Sequence, residues 1–387
     1  MVDGRLRVIA RHGYPRPITC AVPRGPAMID GSRWGGYLIE PVAGMVAAKA
    51  APEAVAALLA ERVGIARDAI GTPEPGLTYY PSPGGIDEVV QSLFVPVSAP
   101  VSARSIAAAF SGFSTAGQLR EFDAQDLLRA AHVGVLPAAR LEMNLYALMA
   151  RLGIPPDPFI GEAIEPPAAD PDPASLRGAS LGALLARPGV APFQPSAPPA
   201  QYLRLVRSVF ADETDENGLP RTLAEHEFEF VLPRRRSVNT VVALPLLGAS
   251  ELRIGLETRL LPVPQRHQGD ARIPTAPAWR LDRDIATLAE ARRFIAATLG
   301  VETGDVVPLG AAYFPSAGIT PERVHPFVVR LSGSAKALPY DFVPLSEVRA
   351  SLDQLRDGHL LVAALRLMHA LGLVAETRSC RNVPPSA

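Results

Sequence analysis

YYPSPGGIDEVVQSLFVPV at residues 79–97 and YFPSAGITPERVHPFVVRL at residues 313–331 decide how this chain is read. Each opens on two aromatics and Pro-Ser-x-Gly, passes through a short polar turn to a glutamate, and ends in alternating apolar residues. Glycine permits the tight turn, and the alternation fits a half-buried strand. A pattern this specific that recurs in both halves of a chain is an internal repeat, one structural unit built twice.

The flanks repeat as well. Upstream of each stretch lies a helix that ends in glycine: PEAVAALLAERVGI from Pro52 to Ile65, and LAEARRFIAATLGV from Leu288 to Val301. Pro52 suits a first helical position, Gly64 and Gly300 suit the residue just past a helix end, and Val55, Leu58, Leu59 and Val63 keep helical spacing. Downstream, LPAARLEMNLYALMARLGI (Leu136–Ile154) matches HLLVAALRLMHALGL (His359–Leu373), and each follows a shorter helical segment, at Phe122 and at Leu345. Strand, helix, strands and helix, twice over, predict an α+β fold of two sandwiches. Between them, residues 159–200 hold EPPAADPDPAS and RPGVAPFQPSAPPAQ. Proline donates no hydrogen bond and breaks helices and central strands, so this stretch reads as an extended linker with a short helix near Leu181 to Ala186. Two domains follow, 1–158 and 201–387.

The totals agree with two cores. The chain has 387 residues, 48% of them hydrophobic, enough for two domains of ordinary size. Against 39 acidic residues stand 38 Lys and Arg, a net charge of −1, so nothing in the whole draws the protein to nucleic acid or to an anionic membrane. Two distant cysteines, Cys20 and Cys380, make no disulfide scaffold and no zinc motif and fit a reducing, cytoplasmic setting. No stretch approaches the roughly 18 apolar residues of a membrane span, and the start has no secretory pattern.

In this order of elements the chain resembles the Nudix fold, within it the ADP-ribose pyrophosphatase branch, whose box runs G-x5-E-x7-R-E-U-x-E-E-x-G-U with U aliphatic. Glu40-Pro41-Val42-Ala43-Gly44 is similar to the family's lead-in, Leu59, Gly64 and Ile65 to the end of the box, and Ser82-Pro83-Gly84-Gly85 with Glu88 to the loop that follows it. In the second copy Arg293, Ile295, Gly300 and Val301 match the box end, and Ser316, Gly318 and Glu322 the loop. The resemblance implies two α/β/α sandwich domains in tandem. Because such enzymes work as dimers, it further implies that the two copies pair inside one chain as a pseudo-dimer. A linker of roughly forty residues, at ~3.1 Å per residue, is long enough to allow that pairing.

The departures bear on function. Family enzymes hold Mg²⁺ or Mn²⁺ on a diphosphate with several box carboxylates on one helix face, since hard cations need oxygen ligands in fixed geometry. Here the box reads Ala57-Leu58-Leu59-Ala60-Glu61-Arg62 in the first copy and Arg293-Phe294-Ile295-Ala296-Ala297-Thr298 in the second, and Gly44 to Gly64 is one residue short. One glutamate survives in the first copy and none in the second. The expectation is a non-catalytic protein without a resident cofactor that binds a nucleotide-like small molecule or serves as scaffold to a protein partner. The alternative is a metal-dependent hydrolase of nucleoside diphosphate derivatives with a rebuilt site. Glu61 is the candidate metal ligand, its ordinary reading being a solvated carboxylate near a helix end. Ligand-binding candidates are Glu40, Gly44, Ser82, Glu88, Arg259, Arg293 and Glu322. Arg259 falls roughly where the family places a substrate-gripping arginine. Arg234-Arg235-Arg236 reads as a solvated loop, and His132, His359 and His369 as packing or capping residues.

Overall fold

Helix boundaries in this chain are written in its caps. The structure, a computed structural model, describes residues 4–13, 38–46, 50–62, 64–98, 104–106, 117–170, 177–194, 202–214, 220–331 and 338–373. The first half runs β1 (Arg7–Gly13), β2 (Leu38–Glu40), α1 (Pro52–Arg62), β3 (Glu74–Tyr79), β4 (Val90–Phe94), β5 (Arg104–Ile106), β6 (Gly117–Asp123), α2 (Ala124–His132) and α3 (Ala139–Leu152). After α4 (Leu181–Leu185) and a hairpin of β7 (Leu203–Thr214) and β8 (Pro220–Pro233) comes the second half. It runs β9 (Asn239–Leu247), β10 (Arg253–Leu260), α5 (Pro262–Gln268), β11 (Arg272–Thr275), β12 (Ala278–Arg280), α6 (Leu288–Leu299), β13 (Val306–Pro308), β14 (Arg323–Arg330), β15 (Asp341–Pro344), α7 (Leu345–Ala350) and α8 (Gly358–Ala370). Pro52 opens α1, Thr287 and Glu290 form a capping box on α6, and Gly64 and Gly300 take left-handed φ of +71° and +67° where their helices stop. Cys20, Cys380 and Val63 lie outside the described residues.

In the second half one mixed sheet carries the order β11-β10-β9-β14-β13, with β12 also on β9 and β15 also on β10. β14 lies parallel to β9, from Arg323 beside Asn239 to Arg330 beside Leu246, and the other pairs are antiparallel. Every residue of β9 is buried, because the sheet is covered on both faces. Val242, Leu244 and Leu246 point to the core that holds α3 and α8, and Val241, Ala243 and Leu247 to the core under α6. β14 therefore departs from the half-buried alternation expected of it: seven of its eight residues are buried, His325 and Arg323 among them. α8 is buried on all sides from Gly358 to His369, and each leucine it hides contributes about 1.5–3 kcal/mol over an exposed one.

The first half repeats these pairings in smaller sheets. β1 pairs with β2 and β6 as β10 pairs with β11 and β15, and β3 pairs with β4 as β13 pairs with β14. The register is the same too. Arg7 faces Asp123 as Arg253 faces Pro344, which makes Arg11 the counterpart of Glu257 and Glu40 the counterpart of Thr275. Among the described residues no strand equivalent to β9 joins the two smaller sheets.

The halves meet through like parts. Tyr80 donates its N–H to the Arg356 carbonyl at 2.7 Å and accepts from Gly358 N–H at 2.9 Å, at the start of α8. Phe314, in the matching place of the second repeat, donates to Pro137 at 2.7 Å and accepts from Ala139 N–H at 3.2 Å, at the start of α3. Each repeat's loop thus meets the start of a helix in the other half.

The proline-rich segment is fastened to the second half. Ser180 caps α4 by accepting from Ala183 N–H at 3.1 Å, and Leu181 N–H donates to Glu347 Oε2 at 2.7 Å. Leu181 and Leu184 are buried in the core and so is Ile164. The helix expected at 181–186 is present over Leu181–Leu185, and its two buried leucines explain why a stretch this rich in proline is held at all.

Candidate functional site

Each repeat contributes the turn Pro-Ser-x-Gly and, six residues after its serine, a glutamate, and these pairs cross between the repeats. Ser82 Oγ donates to Glu322 Oε2 at 3.0 Å, and Ser316 Oγ donates to Glu88 Oε2 at 3.2 Å. Three candidates, Ser82, Glu88 and Glu322, are thus joined with Ser316 across the two loops.

The two carboxylates are held unequally. Glu322, 4% exposed, also accepts from Thr240 Oγ1 at 2.7 Å and from Arg280 Nη2 at 2.6 Å. Burial alone raises its pKa, but Arg280, His359 and the two hydroxyls outweigh burial and hold the carboxyl below its ordinary range. Glu88, 25% exposed, takes its cation from α3, where Arg140 Nη2 lies 2.6 Å from Oε2 and also donates to Ser316 Oγ at 2.6 Å. The difference follows from the sheets. Thr240 and Arg280 sit on β9 and β12, and the first half shows no counterpart of β9 among the described residues.

The remaining candidates lie outside this crossing, with Glu40 close enough to act on the charge of Arg140. Glu40 is paired with Arg11 at 3.1 Å, Gly44 is exposed in the loop after β2, and Glu61 is exposed on α1. Arg259 is 47% exposed with Glu257 as its acid at 3.9 Å, and Arg293 is 63% exposed beside Glu290 at 4.0 Å. No hydrogen bond or ion pair joins these two arginines to each other or to the glutamate loops among the described residues. Nor does any group of three or more His, Cys, Asp and Glu side chains converge there to hold a metal. Phe294 packs its ring edge-on to Trp279, 6.4 Å between centroids, where the box pattern asks for a carboxylate. Arg234 and Arg236 stitch loops together, to Leu203 O and Asp282.

One feature escaped sequence reasoning. An open cavity of about 400 Å³ is lined by Arg177, Arg187, Arg272 and Asp341. Two of these arginines belong to the proline-rich segment, where no periodicity assigns a face, so only the docked conformation brings them to β10, β11 and β15.

The histidines form a second feature. His369 Nε2 is 2.7 Å from the Asp157 carbonyl, which can only accept, so Nε2 carries the proton and Nδ1 accepts from Tyr146 Oη at 2.9 Å. The hydroxyl's single proton is then in use, so Tyr146 accepts from His132 Nε2 at 2.8 Å. His132 Nδ1 is left as a buried lone pair without a hydrogen-bond partner. Burial pushes the His132 pKa down to about 3, with Arg366 and His369 acting in the same sense, and burial lowers His369 too. For His132 a lowered pKa means its contribution to stability is complete above the unfolded value near 6.5 and is lost as pH falls from there toward 3, at about 1.4 kcal/mol per pH unit, and His369 acts in the same direction. His132→Phe, against the Phe159 ring 4.5 Å away, is expected to flatten the pH dependence of unfolding free energy by roughly that slope between pH 6 and 4. Denaturant titrations at pH 7, 6, 5 and 4 measure it, and parallel curves for the two proteins would rule out the proton arrangement.

No protein-family model matches this chain, and no curated protein matches its sequence. Among the described residues, no helix is long and apolar enough to cross a membrane.

Proposed function

We propose that this is a non-catalytic, cytoplasmic protein made of two Nudix-like units paired as a pseudo-dimer, and that it works by binding a nucleotide-like anion. The observation that carries the reading is the crossing of the two loops. Glu88 and Glu322, the acids that resemble the family's loop base, each accept from a serine of the opposite repeat and from an arginine. Glu322, 4% exposed and bonded at both oxygens, is held by partners that a buried carboxylate leaves only at large cost, while Glu88 is tied through Oε2 and remains 25% exposed. Glu61 is exposed on α1 and belongs to no cluster of three or more possible metal ligands among the described residues, while a diphosphate with its metals requires several carboxylates in fixed positions. The loops of this chain hold it together, and the function falls to surfaces elsewhere.

The reading is tested with purified protein, ADP-ribose, NADH, dinucleoside polyphosphates and nucleotide sugars, in Mg²⁺ and in Mn²⁺. The expected result is no turnover approaching about 1 s⁻¹ on any of them. Turnover at or above about that rate, abolished by Glu61→Gln, would establish the metal-dependent hydrolase instead.

A further inference from the structure

Three guanidinium groups and one carboxylate line the cavity between residues 177–194 and strands β10, β11 and β15. Asp341 sits at its base on β15, 7% exposed and paired with Leu256 of β10. Arg177 Nε lies 3.1 Å from Asp341 Oδ1, and Arg187 Nη1 lies 3.1 Å from Oδ2 while donating to Thr258 Oγ1 at 3.1 Å. The Arg272 guanidinium donates to the Pro188 carbonyl and makes no ion pair among the described residues, while the Arg272 backbone N–H donates to Asp270 Oδ1 at 3.0 Å. Three positive charges less one leave two in excess in a single cavity. Arg272 also ties the segment, through the Pro188 carbonyl, but a neutral donor would make that contact as well, so its charge is not used by the fastening.

The chemistry points one way. Guanidinium forks match phosphate oxygens with paired charge-assisted hydrogen bonds, and an excess of two positive charges suits a polyanion better than a carboxylate. The volume lies near the small end of ligand sites, about 300–1,000 Å³. Arg177 is 64% exposed and Arg187 34%, so both are free to turn from Asp341 to an incoming anion, whereas Asp341 is fixed in its strand. We propose that this cavity binds the diphosphate group of a small ligand. Arg272 and Arg187 grip its oxygens, Arg177 closes over them, and Asp341 holds the arginines in place when the site is empty. This rests on the reading of the chain as a binder and moves the ligand away from the glutamate loops.

Isothermal titration of the full chain with inorganic pyrophosphate and, separately, with ADP, at fixed ionic strength near 0.15 M, tests it. Saturable binding at one site per chain is expected. Arg272→Gln should weaken it roughly tenfold or more, and Asp341→Asn should tighten it by releasing Arg177 and Arg187. Arg129→Ala, the same loss of charge on α2, should change nothing, and matching melting curves keep folding out of the comparison. ADP binding much tighter than pyrophosphate identifies a nucleoside diphosphate as the ligand, and equal affinities identify the bare diphosphate. Absence of saturable binding by both, or binding indifferent to Arg272→Gln, overturns the proposal. Hydrolysis in the assay above would remove the non-catalytic reading while leaving this binding measurable, so the two fail separately.

Discussion

Arg366→Leu is expected to cost about 3–5 kcal/mol of stability, a large part of what holds an ordinary domain folded. Arg366 on α8 and Glu142 on α3 are 0% and 1% exposed and meet as two parallel forks, Nε to Oε1 at 2.6 Å and Nη2 to Oε2 at 2.7 Å. Nη1 donates to the Leu309 carbonyl at 2.9 Å and to that of Ala311, and the guanidinium lies 5.6 Å from the centre of the Tyr313 ring. Leucine leaves the carboxylate and two carbonyls buried without donors, which is why breaking such a pair costs far more than the pair itself contributes. Glu142→Leu should be similarly damaging by stranding the guanidinium. Joining the two substitutions should recover most of the loss, because a buried pair replaced by apolar residues of like volume is often neutral. Denaturant midpoints of the two single variants and the double variant give the coupling directly. Strictly additive losses would show that the two charges do not depend on each other.

That pair also marks the limit of the repeat. Counting from the starts of α3 and α8, the counterparts of Glu142 and Arg366 are Leu361 and Ala147. The repeat organises the backbone and the glutamate loops, but the seam between α3 and α8 uses its charges once. In sequence, Arg366 sits inside LLVAALRLMHAL and Glu142 inside an amphipathic helix. Periodicity reports that a face is apolar and does not say which charged residue goes in with it.

Backbone features were the legible part. α1, α6, α3 and α8 lie where their prolines, glycines and apolar spacing place them, because caps and periodicity are local properties. The difference between β4, partly exposed, and β14, buried almost throughout, was not legible. It depends on whether a neighbouring strand and two covering layers exist, and that is a property of the whole sheet. The same holds for the candidate site. Ser82 and Glu322 were each readable from their repeats, but their partnership spans 240 residues and exists only once the halves are joined. Arg140 and Arg280, which neutralise the loop glutamates, carry no motif; they become visible when the fold sets Glu88 and Glu322 beside α3 and β12.

The unequal burial of those glutamates makes the last prediction a comparison within one molecule. Arg280→Ala leaves Glu322, 4% exposed, with its two hydroxyl donors and without the ion pair to Arg280, and is expected to cost about 3 kcal/mol or more. Arg140→Ala releases Glu88, 25% exposed, to water, and should cost about 1 kcal/mol or less. The two should differ in pH dependence as well. In the intact protein Glu322 titrates below its unfolded value, so its contribution is present above the unfolded value near 4.3 and fades as pH falls through the lower folded one. Without Arg280 the largest remaining influence is burial, which raises the folded value. A raised carboxyl contributes most below the unfolded value and loses that contribution as pH rises. The deficit of Arg280→Ala against the parent should therefore be widest at neutral pH and narrow steadily toward pH 4. Chemical denaturation of both variants from pH 7 to pH 4 reads the two effects together. Equal losses in the two variants, or an Arg280→Ala deficit that does not move with pH, would mean that Arg280 does not hold the Glu322 carboxylate in its charged form.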